Sequence, residues 1–141
     1  MDVFEHFIKD PTGTYVGNHL VVDLWGVVNH NDPNTIMDCF TKSCTDAGAT
    51  VLFEHCHMFG ENEGYTGVVV LSESHLSFHT YFEVNLVSLD IFMCGTAHPE
   101  RAMPRIRDFW KPKSVDYNHI RRGIVSAHKL PVHLAARIPN T

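Results

Sequence analysis

Between residues 49 and 94 the chain reads almost entirely as strand, and this limits its folds more than any other feature. The segments ATVLFEHCHMF (49–59), VVVLS (68–72), HLSFHTYFE (75–83) and LVSLDIFMC (86–94) are rich in β-branched, aliphatic and aromatic residues. Only short polar or glycine-bearing stretches separate them. Connections this short join antiparallel neighbours, because a parallel crossover needs roughly a dozen residues or more. An earlier segment, HLVVDLWGVV (19–28), is nearly all apolar and reads as a central strand covered on both faces.

Two helices flank this block. Asp32 is placed to cap the first, with Pro33 at its first helical position. Ile36, Cys39, Phe40, Ser43 and Ala47 then share one face, and Gly48 stops the helix. The second is expected over HPERAMPRIRDFW (98–110), with Pro104 shortening or kinking it. A last strand is expected over 114–125. Residues 1–17 read as a loose leader with turn signals at Asp10-Pro11 and Gly13, and the tail from Ser126 has no period. The order β-α-β-β-β-β-α-β over 141 residues predicts a single α+β domain. Its antiparallel sheet and its helices form two layers, with both helices on one face. Apolar residues remain on the other face. A second copy of the chain is their simplest cover, giving an αββα sandwich.

Composition excludes several classes of function. Eleven Lys and Arg stand against sixteen Asp and Glu, a net charge of −5, so the basic footprint of a nucleic-acid binder is absent. The late basic residues (Arg101, Arg105, Arg107, Lys111, Lys113, Arg121, Arg122) read as solvated faces. No apolar run approaches the ~20 residues of a membrane span. The acidic, proline-broken N-terminus is unlike a signal peptide. Cys39, Cys44, Cys56 and Cys94 form no CxxC pair, so reduced thiols in the cytoplasm are expected.

The most unusual stretch runs from Ser72 to Glu83. It holds Ser74, His75, His79, Thr80 and two acids within twelve residues. A hairpin closed by Val84-Asn85 would set Cys94 opposite residues 75–77, close to Ser74. On residue type alone, a serine and a histidine on a strand are ordinary surface. His55 with His57, and His75 with His79, share strand faces and invite a zinc assignment with Cys56 or Cys94. No finger spacing is present, so no metal is expected. Trp25 and Trp110 read as core or interface residues.

The segments SESHLSFHTYFE (72–83) and DIFMCG (90–95), with Cys94 twenty positions after Ser74, resemble the prokaryotic S-adenosylmethionine decarboxylase proenzymes. So do GNHLVVDLWGV (17–27), AGATVLFEHCHMF (47–59) and TGVVVLSESH (66–75), and the resemblance covers roughly residues 17–110. It implies a self-cleaving pyruvoyl enzyme. The Ser74 hydroxyl would attack the Glu73 carbonyl and convert the peptide to an ester. Loss of the Ser74 α-proton would expel the Glu73 carboxylate. The dehydroalanine would then hydrolyse to a pyruvoyl group and ammonia, leaving chains 1–73 (β) and 74–141 (α).

The resemblance also implies roles for single residues. His79 matches the histidine that removes the α-proton, a task suited to imidazole near neutral pH. Thr66 stands where a serine usually steadies the cyclic intermediate. Cys94 matches the acid that protonates the substrate carbon after decarboxylation. Phe59 matches the aromatic set against adenine, and Glu83 the acid that holds the ribose hydroxyls. The pyruvoyl carbonyl, as a Schiff base with S-adenosylmethionine, would be the electron sink, and the product is the aminopropyl donor for spermidine synthesis. A homodimer of processed chains is the implied assembly.

Some positions depart from the pattern. Tyr81-Phe82 replaces Trp-Pro, Met93 replaces threonine, and the loop GENEGYTG (60–67) is longer and more acidic. These changes surround the substrate pocket rather than the cleavage site. Glu61 and Glu63 motivate one alternative, a pyruvoyl decarboxylase of ornithine or arginine. A non-enzymatic, unprocessed partner of an active relative is the other.

Overall fold

The structure is a computed structural model that describes residues 2–30, 32–61 and 63–139. Its centre is a six-stranded antiparallel sheet. The strands are β3 (Gly17–Trp25), β4 (Val51–Met58), β5 (Tyr65–Leu71), β6 (Ser74–Tyr81), β7 (Leu86–Cys94) and β8 (Ser114–Arg122), in the order β4-β5-β6-β7-β3-β8. Two helices, α1 (Pro33–Asp46) and α2 (Met103–Trp110), belong to the layer on one face. The expected α+β architecture is therefore present, with a meander of four consecutive strands at its heart.

Alternation along the strands decides which face is buried. Leu20, Val22 and Leu24 of β3 lie in the core with Leu76, Phe78, Val87, Leu89, Ile91 and Met93. Their neighbours Val21 and Trp25 face the other way and stay about two-fifths exposed. Within one chain β3 is thus interior to the sheet but covered on one face only. That is narrower than its apolar sequence suggests. Gly67 sits directly across from Phe78, whose ring occupies the space a Cβ would need.

Helix α1 forms as its ends require. The Asp32 carboxylate accepts from the Asn34 N–H at 3.0 Å and from the Thr35 hydroxyl, and Pro33 opens the helix. Its core face carries Ile36, Met37, Cys39, Phe40, Ser43 and Cys44. Phe40 is fully buried, with its ring centroid 4.5 Å from Phe78 and 6.2 Å from Trp110. Gly48 follows at φ +87°, a conformation that ends the helix without a Cβ penalty.

Three expectations need correction. The second helix is shortened to Met103–Trp110, as one of the two expectations had it, and Pro104 does not kink it. Residues Pro99–Ala102 form a 3₁₀ turn and Pro104 falls in the first turn of α2, where no intrahelical N–H is missed. Residues 2–17 are no loose leader either. Ile8–Asp10 (β1) and Gly13–Tyr15 (β2) form a small hairpin, while Phe4 and Tyr15 are buried. Backbone bonds from Val16 to Arg122 and from Val125 to Thr14 tie this hairpin to the chain around the end of β8. The turn signals at residues 10–13 were real, but strands of three residues are too short to show a period.

The third correction concerns the β6–β7 hairpin. Its register pairs Ser74 with Met93 and Tyr81 with Leu86. Phe82–Val84 form a 3₁₀ turn closed by Asn85 at φ +53°, with the Phe82 ring packed edge-on to Tyr65. Glu83 therefore lies in the turn rather than on the strand. The pairing is displaced by two residues from the two-residue turn expected, so Cys94 meets Glu73 instead of residues 75–77. An even displacement keeps every side chain on its expected face. The tail holds a 3₁₀ turn at Ala127–Lys129 and one helical turn at Val132–Ala135 (α3), and none of its described residues is buried.

Candidate active site

Ser74 begins β6 immediately after the tight Ser72-Glu73 turn, with φ at +146°. Side chains other than glycine's rarely adopt that conformation, so strain is stored at this residue. The turn is clamped from β4's entry. The Thr50 N–H and hydroxyl reach the Glu73 carboxylate at 2.7 and 3.4 Å, and the Ser72 N–H donates to the Thr50 carbonyl at 3.0 Å. On the other side, the Glu73 carbonyl oxygen accepts two hydrogen bonds from Cys94. Its N–H and its thiol both donate at 2.9 Å. The Glu73–Ser74 peptide is thus polarised at its carbonyl, strained at its serine and followed by its own hydroxyl.

That hydroxyl heads a chain of polar groups on the face away from the helices. Ser74 Oγ lies 3.2 Å from His75 Nδ1, and His75 Nε2 lies 3.2 Å from Asp90 Oδ2. His19 Nε2 reaches the same carboxylate oxygen at 2.6 Å, and the Ser77 hydroxyl donates to Oδ1. Arg122 Nη1 donates to His19 Nδ1 at 2.8 Å. Burial pulls the Asp90 carboxyl up. The hydrogen bonds from Ser77 and His19, with the neighbouring His75 and His19 rings, outweigh it and hold the group below the usual carboxylate range. Sequence reading singled out neither Asp90 nor His19. The available signal was a lone acid inside the apolar strand LVSLDIFMC.

A second group gathers at the other end of β6. Thr66 and His79 are directly paired across β5 and β6. The Phe59 ring lies 5.3 Å from His79 and 5.1 Å from His57, and Tyr81 lies 4.5 Å from His79. Phe59 is half exposed and outside the core. Glu83 follows in the exposed turn, and Glu61 and Glu63 are exposed in the β4–β5 loop. The structure therefore unites Glu73, Ser74 and Cys94, and separately Phe59, Thr66 and His79. It does not bring the two groups together within one chain. Ser74 and His79 are five residues apart on one strand, about 16 Å at a strand rise of ~3.3 Å. A shallow groove of about 290 Å³ lies between them, touching Thr66, Ser77, His79 and Asp90.

The remaining cysteines and histidines sort by face. Cys39 and Cys44 are buried in α1, where desolvation pushes their thiols up to about 11 and about 12. Among the described residues, the histidine pairs that invited a zinc assignment, His55 with His57 and His75 with His79, do not converge on a cysteine. Among the described residues, His19, His75 and Asp90 are the group whose donor atoms converge, within 4.8 Å of one another. Arg122 on His19 Nδ1 leaves His19 donating its Nε2–H to Asp90, so that nitrogen has no lone pair to offer a metal.

The family described as S-adenosylmethionine decarboxylase matches residues 18–123. The S-adenosylmethionine decarboxylase proenzyme of Methanococcus aeolicus is 40% identical over 115 residues, spanning 77% of this chain and 95% of that protein. The proenzyme of the same name from Thermomicrobium roseum is 30% identical over 111 residues, spanning 78% and 96%. The crystal structure of the adenosylmethionine decarboxylase from Aquifex aeolicus superposes with a TM-score of 0.71 at 32% identity, covering 79% of this chain and 94% of that one. A strained serine beneath a doubly hydrogen-bonded carbonyl, on this fold and with these relatives, places the chain in the S-adenosylmethionine decarboxylase family.

Proposed function

We propose that the chain is a proenzyme that cuts itself between Glu73 and Ser74 and then decarboxylates S-adenosylmethionine. The observation that carries this reading is Ser74 at φ +146°, with the Glu73 carbonyl held by the Cys94 N–H and thiol. Turning an amide into an ester is uphill. Strain in the starting peptide, on the order of 1–3 kcal/mol, offsets part of that cost. Two donors aimed at the carbonyl oxygen stabilise the negative charge that gathers there when Oγ attacks. His79 then serves as the base for the Ser74 α-proton, and the Thr66 hydroxyl beside it steadies the cyclic intermediate. The resulting pyruvoyl group supplies an electron-withdrawing carbonyl for decarboxylation. Ser74 carries it, and the Cys94 thiol stands ready to protonate the substrate carbon. Phe59 offers an exposed aromatic face for the nucleoside, and Glu83 a carboxylate for its hydroxyls.

His79 lies too far from Ser74 to act within its own chain, and this supports a homodimer built on the open face. A two-fold axis passing near Ser77 exchanges the two ends of β6 and brings the His79 of a second copy towards Ser74. The same contact covers Val21, Phe53, Val70 and Ile120, which are exposed in the single chain. No described helix is long and apolar enough to cross a membrane. The four free cysteines support a reducing compartment, the cytoplasm.

Intact mass under denaturing conditions tests processing. Fragments 1–73 and 74–141, the second with a blocked N-terminus, are expected. Carbon dioxide release from S-adenosylmethionine, ornithine and arginine then tests the substrate. A chain that stays whole would overturn the processing reading, and release from an amino acid alone would overturn the substrate.

A further inference from the structure

Self-cleavage requires two proton abstractions from Ser74, one from Oγ and one from Cα, and His79 accounts for the second only. We infer that His75 is the general base for the first, and that Asp90, backed by His19, is the positioning residue that aims it. This rests on the reading of the chain as a self-cleaving proenzyme.

Hydrogen-bond logic fixes the arrangement. An ionised carboxylate only accepts, so both nitrogens that reach Asp90 Oδ2 must carry hydrogen. A neutral His75 with its proton on Nε2 has a bare Nδ1, and that atom faces Ser74 Oγ at 3.2 Å. Arg122 is always a donor, so His19 Nδ1 is likewise bare and His19 is neutral. The carboxylate is held from its far side by Ser77. Serine, histidine and aspartate are thus aligned as nucleophile, base and orienting group, the geometry expected of an activated hydroxyl. The alternative use of the cluster, as a metal site, would require His19 to give up its bond to Arg122 or Asp90.

The step balances without a co-reactant. As Oγ bonds to the Glu73 carbonyl carbon, its proton passes to His75 Nδ1, and the new imidazolium is neutralised by Asp90. The charge on the Glu73 oxygen rests on the two Cys94 donors. When the C–N bond breaks, His75 returns the proton to the departing Ser74 nitrogen, leaving an ester and a free amine. The titratable or charged groups around His75 are Asp90 from β7, His19 from β3 and, behind His19, Arg122 from β8. Its register partner on β5 is Val70.

The test uses the full-length chain made by cell-free synthesis, with cleavage followed over time by intact mass. Hydroxylamine added to aliquots cuts any ester and so separates the acyl shift from the later elimination. His79→Ala should accumulate hydroxylamine-sensitive ester. His75→Ala should form ester about 100-fold more slowly or less, in line with the loss of a general base. His75→Asn, which keeps a polar group beside Ser74 but takes no proton, should be equally slow. Imidazole in the buffer should restore part of the cleavage in His75→Ala, because removing the ring leaves a space of its own size beside Ser74. Ester formation at the native rate in His75→Asn, or a slow His75→Ala that imidazole does not rescue, would overturn the proposal while leaving self-cleavage intact. A native chain that is never cut would overturn the proenzyme reading, and this step with it.

Discussion

Cys94 places two donors on one oxygen, and only one of them belongs to its side chain. Cys94→Ala therefore removes the thiol and keeps the N–H. Losing one hydrogen bond worth about 1.4 kcal/mol slows self-cleavage about tenfold without preventing it. Turnover of the processed enzyme should fall much further if the thiol is the proton donor proposed above. A mass time course shows the first effect and carbon dioxide release the second. Cleavage at the native rate would mean that the thiol does not act on the scissile carbonyl. Cys39 and Cys44 behave differently, because burial raises both thiols to about 11 and about 12. Iodoacetamide at pH 8 should label them only after denaturation, as peptide mapping would show. Glu73, Ser74 and Cys94 were legible in the sequence because one motif and one hairpin hold them. Asp90 and His19 were not. They meet His75 only because β7 lies between β6 and β3, and no local pattern encodes that order.

Helix α1 was the most legible element, since its cap, its apolar face and its terminating glycine are all local signals. Its energetic weight is concentrated in Phe40, wedged between Phe78 and Trp110. Phe40→Ala should lower the unfolding free energy by about 3–5 kcal/mol, measured by denaturant titration. A loss below about 1 kcal/mol would show that the helix layer collapses into the space. Both ends of the helix also depend on ionised aspartates. Hydrogen bonds from Thr35 and Asn34 lower the Asp32 carboxyl, and the Arg105 guanidinium lowers Asp46 from the ordinary 3.8. A carboxyl lower in the folded than in the unfolded state stabilises the fold above its unfolded value. That contribution disappears as pH falls through the folded value. Melting temperatures of the native chain and Asp46→Asn should therefore differ near neutrality and converge well below about pH 4. A gap that persisted there would assign the difference to something other than ionisation. The N-terminal hairpin and the β6–β7 turn were illegible for a shared reason. Each is fixed by aromatic anchoring, through Phe4 and Tyr15 in one case and Phe82 on Tyr65 in the other, and neither anchor has a period.

The antiparallel α+β domain follows from strand spacing, and the homodimer proposed above would cover its open face. The sheet register puts His19, His55, His57, His75 and His79 on that face, five of the chain's eleven histidines. They share it with Val21, Val70 and Phe53. In the proposed homodimer these histidines would form the polar part of the interface and of its enclosed sites. The two half-sites then make a prediction that a single-chain enzyme cannot satisfy. Ser74→Ala chains cannot cleave but still carry His79. His79→Ala chains keep Ser74 but stall at the ester. If the half-sites meet across a two-fold axis, a mixed dimer pairs the intact Ser74 of one chain with the intact His79 of the other. Co-expressing the two variants with tags of different mass should therefore yield cut His79→Ala chains and uncut Ser74→Ala chains, with at most half of the former processed when the chains mix at equal levels. Failure to cut in the mixture, with self-cleavage of the native chain established, would place both half-sites' chemistry within one chain and require β6 to bend far from the geometry observed.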